Sequence, residues 1–270
     1  MEEQLTMKIF LDTAETDVIR RHFETGLIDG VTTNPTLIRK SGRDPEEVYQ
    51  ELKDIGILDI SMEVMGGFAA MLDEGRRLSK KFGECATIKV PCTPDGLLAC
   101  KMLNKDLIRV NVTLIFDAAQ AILSAKAGAT YISPFVGRLD DNSISGVQLV
   151  KDICKLYREQ MVMGTNVLAA SLRDVKSVSE CFAGGADVVT MPPKVFEGMY
   201  NHVLTDKGLQ LFDKDWSEVV REPKKEVVQD GEPKAFKGLG SFSELAGTDP
   251  GTDLRNLPIF NKDAKDCKCA

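Results

Sequence analysis

Between residue 8 and about residue 216 the chain repeats one pattern eight times. A short run rich in β-branched and aliphatic residues is followed by a stretch whose apolar residues recur at helical spacing. The runs fall at 8–12, 30–34, 60–64, 86–91, 108–113, 131–135, 161–167 and 187–191. The stretches between them carry faces such as Val48, Leu52 and Ile55, or Val147, Val150, Cys154 and Tyr157. Eight strand-then-helix units are what a closed parallel barrel requires, so the expected fold class is α/β, a single (β/α)8 (TIM) barrel over residues 1–220. An open, doubly wound sheet is the alternative. It usually carries a Gly-rich nucleotide turn after its first strand, and Asp12-Thr13-Ala14-Glu15 is not one. From Arg221 onward, Pro223, Pro233, Pro250 and Pro258, with glycines among them, interrupt any period. Residues 221–270 are expected to form an extended or partly disordered arm with no chemistry assigned.

Composition narrows the function classes. A net charge of −7 without a dense Lys/Arg run argues against a nucleic-acid surface. No apolar run approaches the ~20 residues of a membrane span, and the polar start Met1-Glu2-Glu3-Gln4 does not read as a secretory signal. Seven cysteines without framework spacing point to reduced thiols and a cytoplasmic setting. Only two histidines are present, His22 and His202, so a zinc site or a Ser–His machine has little to draw on. The expectation is no metal, with any acid–base work falling to carboxylates and lysine.

The fourth run, Ala86-Thr87-Ile88-Lys89-Val90-Pro91, carries a lysine inside an apolar strand. Enclosure disfavours an ammonium ion and favours a nucleophilic amine; the alternative is a strand-end lysine in an ion pair. Period-two alternation decides what keeps it company. It gives Lys8, Phe10 and Asp12 one face of the first strand, Thr32 and Asn34 of the second, and Ser61 and Glu63 of the third. Thr87 and Lys89 follow on the fourth, Asn111 and Thr113 on the fifth, and Tyr131, Ser133 and Phe135 on the sixth. The opposite faces are aliphatic, among them Leu11, Val31, Met62, Ile88, Val112 and Ile132. Helices cover the outer face of a barrel, so six consecutive strands point polar groups inward near one rim. Buried polar groups need partners or a ligand, and the pattern reads as an enclosed polar site.

Arg138 follows the sixth strand and Arg173, just after Ser171, the seventh, a placement suited to a shared phosphate seat at the rim. These residue types permit carbonyl chemistry. An amine forms an imine with a ketose, the iminium accepts electrons on C–C cleavage, and Asp12 and Glu63 supply the proton transfers.

At these residues the chain resembles the transaldolase family, including the related fructose-6-phosphate aldolases. The matching segments are Leu11-Asp12-Thr13-Ala14, Gly30-Val31-Thr32-Thr33-Asn34-Pro35, Ile88-Lys89-Val90-Pro91, Asn111-Val112-Thr113-Leu114, Ile132-Ser133-Pro134-Phe135-Val136-Gly137-Arg138 and Ala170-Ser171-Leu172-Arg173. The resemblance implies a Schiff-base Lys89, proton transfer by Asp12, and a relay water positioned by Glu63 and Thr113. It implies Asn34 and Asn111 on the dihydroxyacetone unit with Ser133 nearby, and Arg138, Ser171 and Arg173 on phosphate. The implied reaction, one of the pentose phosphate pathway, converts sedoheptulose 7-phosphate and glyceraldehyde 3-phosphate to erythrose 4-phosphate and fructose 6-phosphate. It uses no cofactor. Glu63 and Phe135 follow the transaldolase pattern, where the aldolase branch tends to have Gln and Tyr. The short barrel is similar to the smaller subfamilies, which implies a homo-oligomer. Two other functions stand beside the transferase: an aldolase that releases free dihydroxyacetone, and a sugar-phosphate binding protein without catalysis.

Overall fold

The computed structural model describes residues 7–219. Its barrel unit is a closed ring of eight parallel strands in sequential order. They are β1 (Lys8–Asp12), β2 (Gly30–Thr32), β3 (Ile60–Glu63), β4 (Ala86–Pro91), β5 (Val110–Ile115), β6 (Tyr131–Pro134), β7 (Asn166–Ala169) and β8 (Val188–Met191). β8 closes on β1, with Thr190 opposite Phe10. A helix follows each strand, and the barrel unit runs to Lys214. The last helix among the described residues is Val203–Glu218, and a second unit begins at Asp215. The arm expected from Arg221 lies outside the described residues. Among those residues, no helix is long and apolar enough to cross a membrane.

Four strands are one or two residues shorter than their sequence expectation, and two others are displaced. The seventh, expected over 161–167, runs from Asn166 to Ala169. Met161 stands at φ 51° and Gly164 at φ 83°, so the apolar Met161-Val162-Met163 run is a turn, not extended backbone. Met161 and Met163 are accordingly exposed. The fifth strand is shifted two residues, to Val110–Ile115. Leu114 at φ 62° and a register shift between Val112 and Ile115 mark a bulge at its rim end.

Alternation sorts the strand residues into two clusters. Leu11, Val31, Met62, Ile88, Val110, Val112, Ile132 and Val167 face the helices and form the large core. Phe10, Tyr131, Leu168, Ala170 and Val188 fill the barrel interior, with Phe135 packed on them. Near the N-terminal ends of the strands, Asp59 accepts hydrogen bonds from Thr87 Oγ1 at 2.7 Å, Arg109 Nη1 at 2.6 Å and Tyr131 Oη at 2.9 Å. This floor joins β3, β4, β5 and β6 beneath the site. Gly30 admits it: a Cβ there would lie 2.8 Å from the Asp59 carbonyl oxygen and 2.7 Å from the Phe10 ring.

Candidate active site

Lys89 lies mid-strand on β4, only 4% exposed, with Asn111 as its register partner on one side and Glu63 on the other. Its Nζ stands 3.1 Å from Glu63 Oε2 and donates to the Thr33 carbonyl at 3.0 Å. The carbonyl is available because Thr33 directly follows β2, where the chain leaves the sheet for the helix Pro35–Ser41.

Around this amine lies a small cavity of about 80 Å³. Asp12, Thr32, Asn34, Lys89, Ser133, Phe135, Arg138 and Ser171 line it, and all eight were expected from the sequence. Ala170 and Thr190 complete the lining and were not expected. Asn34 caps the following helix, its Oδ1 accepting from the Leu37 amide at 3.0 Å, so the Nδ2 amine is the group it offers to a ligand. Thr32 Oγ1 donates to Asp12 Oδ1 at 2.8 Å. Burial is the strongest influence on Asp12 and raises its carboxyl above the ordinary aspartate range. Lys89, the Thr32 hydrogen bond and Arg138 each pull the other way and do not cancel it.

Four expected residues do not line the cavity. Glu63 is engaged with Lys89 itself. Asn111 is fully buried, donates to Ser61 Oγ at 3.2 Å and accepts from Ser133 Oγ at 2.7 Å, so it orients the serine that does reach the cavity. Thr113 is buried too, and its Oγ1 has no hydrogen-bond partner among the described residues. A buried hydroxyl of that kind has bonding capacity left for a water or a ligand. Arg173, expected on phosphate, lies outside the cavity lining. It is half-exposed and pairs through both Nη atoms with the Asp141 carboxylate.

The rim where the two arginine-bearing segments meet is tightly built. Arg138 lies on the short helix Val136–Asp140, its guanidinium 4.9 Å from the centre of the Phe135 ring, a cation–π contact that holds it over the cavity. Phe135 is itself set edge-on against Phe116, with ring centres 5.9 Å apart. Ser171, at φ 60°, turns its carbonyl to accept the Gly137 amide at 3.1 Å. A Cβ at Gly137 would lie 2.3 Å from that carbonyl oxygen and 2.8 Å from Arg173 Nε. Glycine is what lets the two arginine-bearing loops come together.

Thr190 and Ala170 were missed for different reasons. Alternation along β8 places Thr190 on the face of Val188, inside the barrel, but the inward reading stopped at the sixth strand. The misplaced seventh strand hid Ala170. Asp59 had a weaker signal, a lone carboxylate just before an apolar strand.

A buried amine, a carboxylate beside it, a second carboxylate across the cavity and an arginine at the mouth suit imine chemistry on a phosphorylated carbonyl compound. Residues 9–230 match the family model described as Transaldolase/Fructose-6-phosphate aldolase. A "Probable transaldolase" of Paracoccus denitrificans is 51% identical over 212 residues, covering 78% of this chain and 97% of that protein. One from Caulobacter vibrioides is 52% identical with the same coverage. One from Nitrosopumilus maritimus is 46% identical over 217 residues, covering 80% and 97%. Among solved structures, a mandelate oxidase variant overlays with a TM-score of 0.51 at 16% identity, covering 70% of this chain and 65% of that one. That likeness concerns the barrel fold alone.

Proposed function

Given that the chain belongs to the transaldolase/fructose-6-phosphate aldolase family, we propose that it is a transaldolase acting through a Schiff base on Lys89. It takes a dihydroxyacetone unit from sedoheptulose 7-phosphate or fructose 6-phosphate and passes it to an aldose phosphate such as glyceraldehyde 3-phosphate. The observation that carries this reading is the Lys89 amine, 4% exposed and 3.1 Å from Glu63, on a cavity shared with Asp12.

The steps follow from those groups. Glu63 takes a proton from Lys89 Nζ, the freed amine adds to the C2 carbonyl of the ketose, and the carbonyl oxygen leaves as water with one proton from the attacking nitrogen and the one that Glu63 returns. Asp12 then takes the C4 hydroxyl proton. The C3–C4 electron pair moves into the iminium, an aldose departs, and an enamine remains on Lys89. An incoming aldehyde is attacked by the enamine carbon, its oxygen recovers the proton from Asp12, and hydrolysis of the new imine frees the ketose product. Thr113, with its uncommitted hydroxyl, suits the water of the imine steps. Arg138 at the mouth suits the phosphate, while the Asn34 amine and Ser133 suit the sugar oxygens.

The second reading is an aldolase in which the enamine is protonated and hydrolysed to free dihydroxyacetone. Phe135 favours transfer: this wall residue has no hydroxyl with which to hold a hydrolytic water. The test has two arms. Borohydride added with fructose 6-phosphate should fix a dihydroxyacetone unit at Lys89, read by mass spectrometry, and Lys89→Met should abolish the adduct. Fructose 6-phosphate alone should yield little dihydroxyacetone, and turnover should require an added aldose phosphate. Release at a comparable rate without acceptor would replace the transferase with the aldolase; an adduct absent from Lys89 would remove both.

A further inference from the structure

Asp12 on β1 ends a hydrogen-bonded row that draws on both neighbouring strands, β2 and β8. Thr32 Oγ1 on β2 donates to Asp12 Oδ1 at 2.8 Å and lies 2.6 Å from Thr190 Oγ1 on β8. Thr190 is buried and lines the cavity that holds Lys89. Counting protons fixes the direction of the row. A hydroxyl has one proton to give. With Asp12 ionised, the Thr32 proton is spent on the carboxylate, so the short contact to Thr190 exists only if Thr190 donates. The order is Thr190 to Thr32 to Asp12, and a protonated Asp12 allows the whole row to reverse with each bond kept.

We propose that Thr190 is a positioning residue for Asp12, acting through Thr32 to aim the carboxylate into the cavity and to favour its ionised form. The proposal rests on the reading of Asp12 as the group that takes the C4 hydroxyl proton. Packing alone does not call for a hydroxyl here, since Thr190 shares its strand face with Val188 among Phe10 and Leu168. The charged groups that face Asp12 are Lys89 from β4, itself paired with Glu63 of β3, and Arg138 from the helix Val136–Asp140. Among the described residues neither cation is hydrogen-bonded to Thr190, so its influence is separable from theirs. Chained hydrogen bonds polarise one another; removing the far donor weakens the near one and raises the proton affinity of the acceptor.

The test is a substrate-free titration of the Asp12 carboxyl by carbon-13 NMR on the full chain, with the resonance assigned through Asp12→Asn. Thr190→Val should move the midpoint upward by ~0.5 pH unit, and Thr190→Ser should restore it. With fructose 6-phosphate and an aldose phosphate acceptor, the acid limb of kcat/KM should move by the same amount while KM stays put, and Thr190→Val should add nothing in the Asp12→Asn background. An unmoved midpoint in a natively folded Thr190→Val protein overturns the proposal. If that variant does not fold, Thr190→Ala removes the same hydroxyl without adding bulk and is judged by the same two outcomes. Because the titration needs no turnover, it stands or falls apart from the identity of the reaction.

Discussion

Glu63 and Lys89 are register partners on adjacent parallel strands, and their side chains meet 3.1 Å apart beside the cavity that Lys89 lines. The pairing of β3 with β4 thus delivers a carboxylate to an enclosed amine. A glutamate that only balanced charge could be replaced by neutral glutamine at small cost to imine formation. A glutamate that moves protons could not.

We expect Glu63→Gln to keep the borohydride adduct at Lys89 but to slow its single-turnover formation roughly 10²-fold. Lys89→Arg should form no adduct, because a guanidinium does not give up its proton to become a nucleophile. Rapid-quench mass spectrometry reads both. A Glu63→Gln rate within twofold of wild type would assign the carboxylate to charge balance alone.

Asp12 carries a pH signature. Its carboxyl is raised by burial, so the ionised base that takes a proton is populated only above the ordinary aspartate range. The acid limb of kcat/KM should therefore lie above that of a free aspartate, and Asp12→Asn should remove it with a loss of ~10²–10⁴ in kcat. Stability has the opposite sense. The folded state holds this proton more tightly than the unfolded chain, so the associated stabilisation is present at low pH and lost as pH rises through the raised value. Asp12→Asn should thus be more stable than wild type at neutral pH, and the gap should close below about pH 4, the unperturbed aspartate value. Urea unfolding at two pH values reads it.

The two rim arginines should not be equivalent. Arg138 lines the cavity, whereas both Nη atoms of Arg173 are held by Asp141. Arg138→Ala should raise KM for phosphorylated ketoses about 10–100-fold, the worth of a charge-assisted hydrogen bond, and spare unphosphorylated ones. Arg173→Ala should have a smaller effect. Equal losses would mean that Arg173 leaves Asp141 when phosphate binds.

The barrel floor should govern stability. Asp59→Ala strips three donors of their acceptor at once, Thr87, Arg109 and Tyr131, and should cost about 2–4 kcal/mol. Tyr131→Phe removes one bond from the same group and should cost about 1 kcal/mol. Chemical denaturation checks the ratio. Similar values for the two variants would mean that Thr87 and Arg109 find other acceptors.

Much of this molecule was legible because barrel strands obey a period of two. Once a strand's limits are right, alternation alone separates Lys89, Asn111 and Ser133 from Ile88, Val112 and Ile132. It failed where the limits were wrong. The apolar Met161-Val162-Met163 run imitates a strand, yet Gly164 and a left-handed Met161 turn it outward, which displaced β7 and concealed Ala170. Pairings across long separations had no local trace. Arg173 follows its strand as a phosphate ligand should, and nothing nearby announces that Asp141, 32 residues earlier, would hold it. The link from Thr190 to Thr32 spans 158 residues and joins the first pair of strands to the last.

The packed floor has a consequence for the order of events. Phe10, Tyr131, Leu168 and Val188 fill the barrel interior, and Asp59 ties four strands together near their N-terminal ends, so among the described residues the Arg138 rim is the side from which the cavity is reached. In the proposed transfer reaction, a departing aldose would clear that rim before its successor enters. Initial-velocity plots for donor and acceptor should then be parallel lines, the ping-pong pattern of an enzyme that is never occupied by both partners at once.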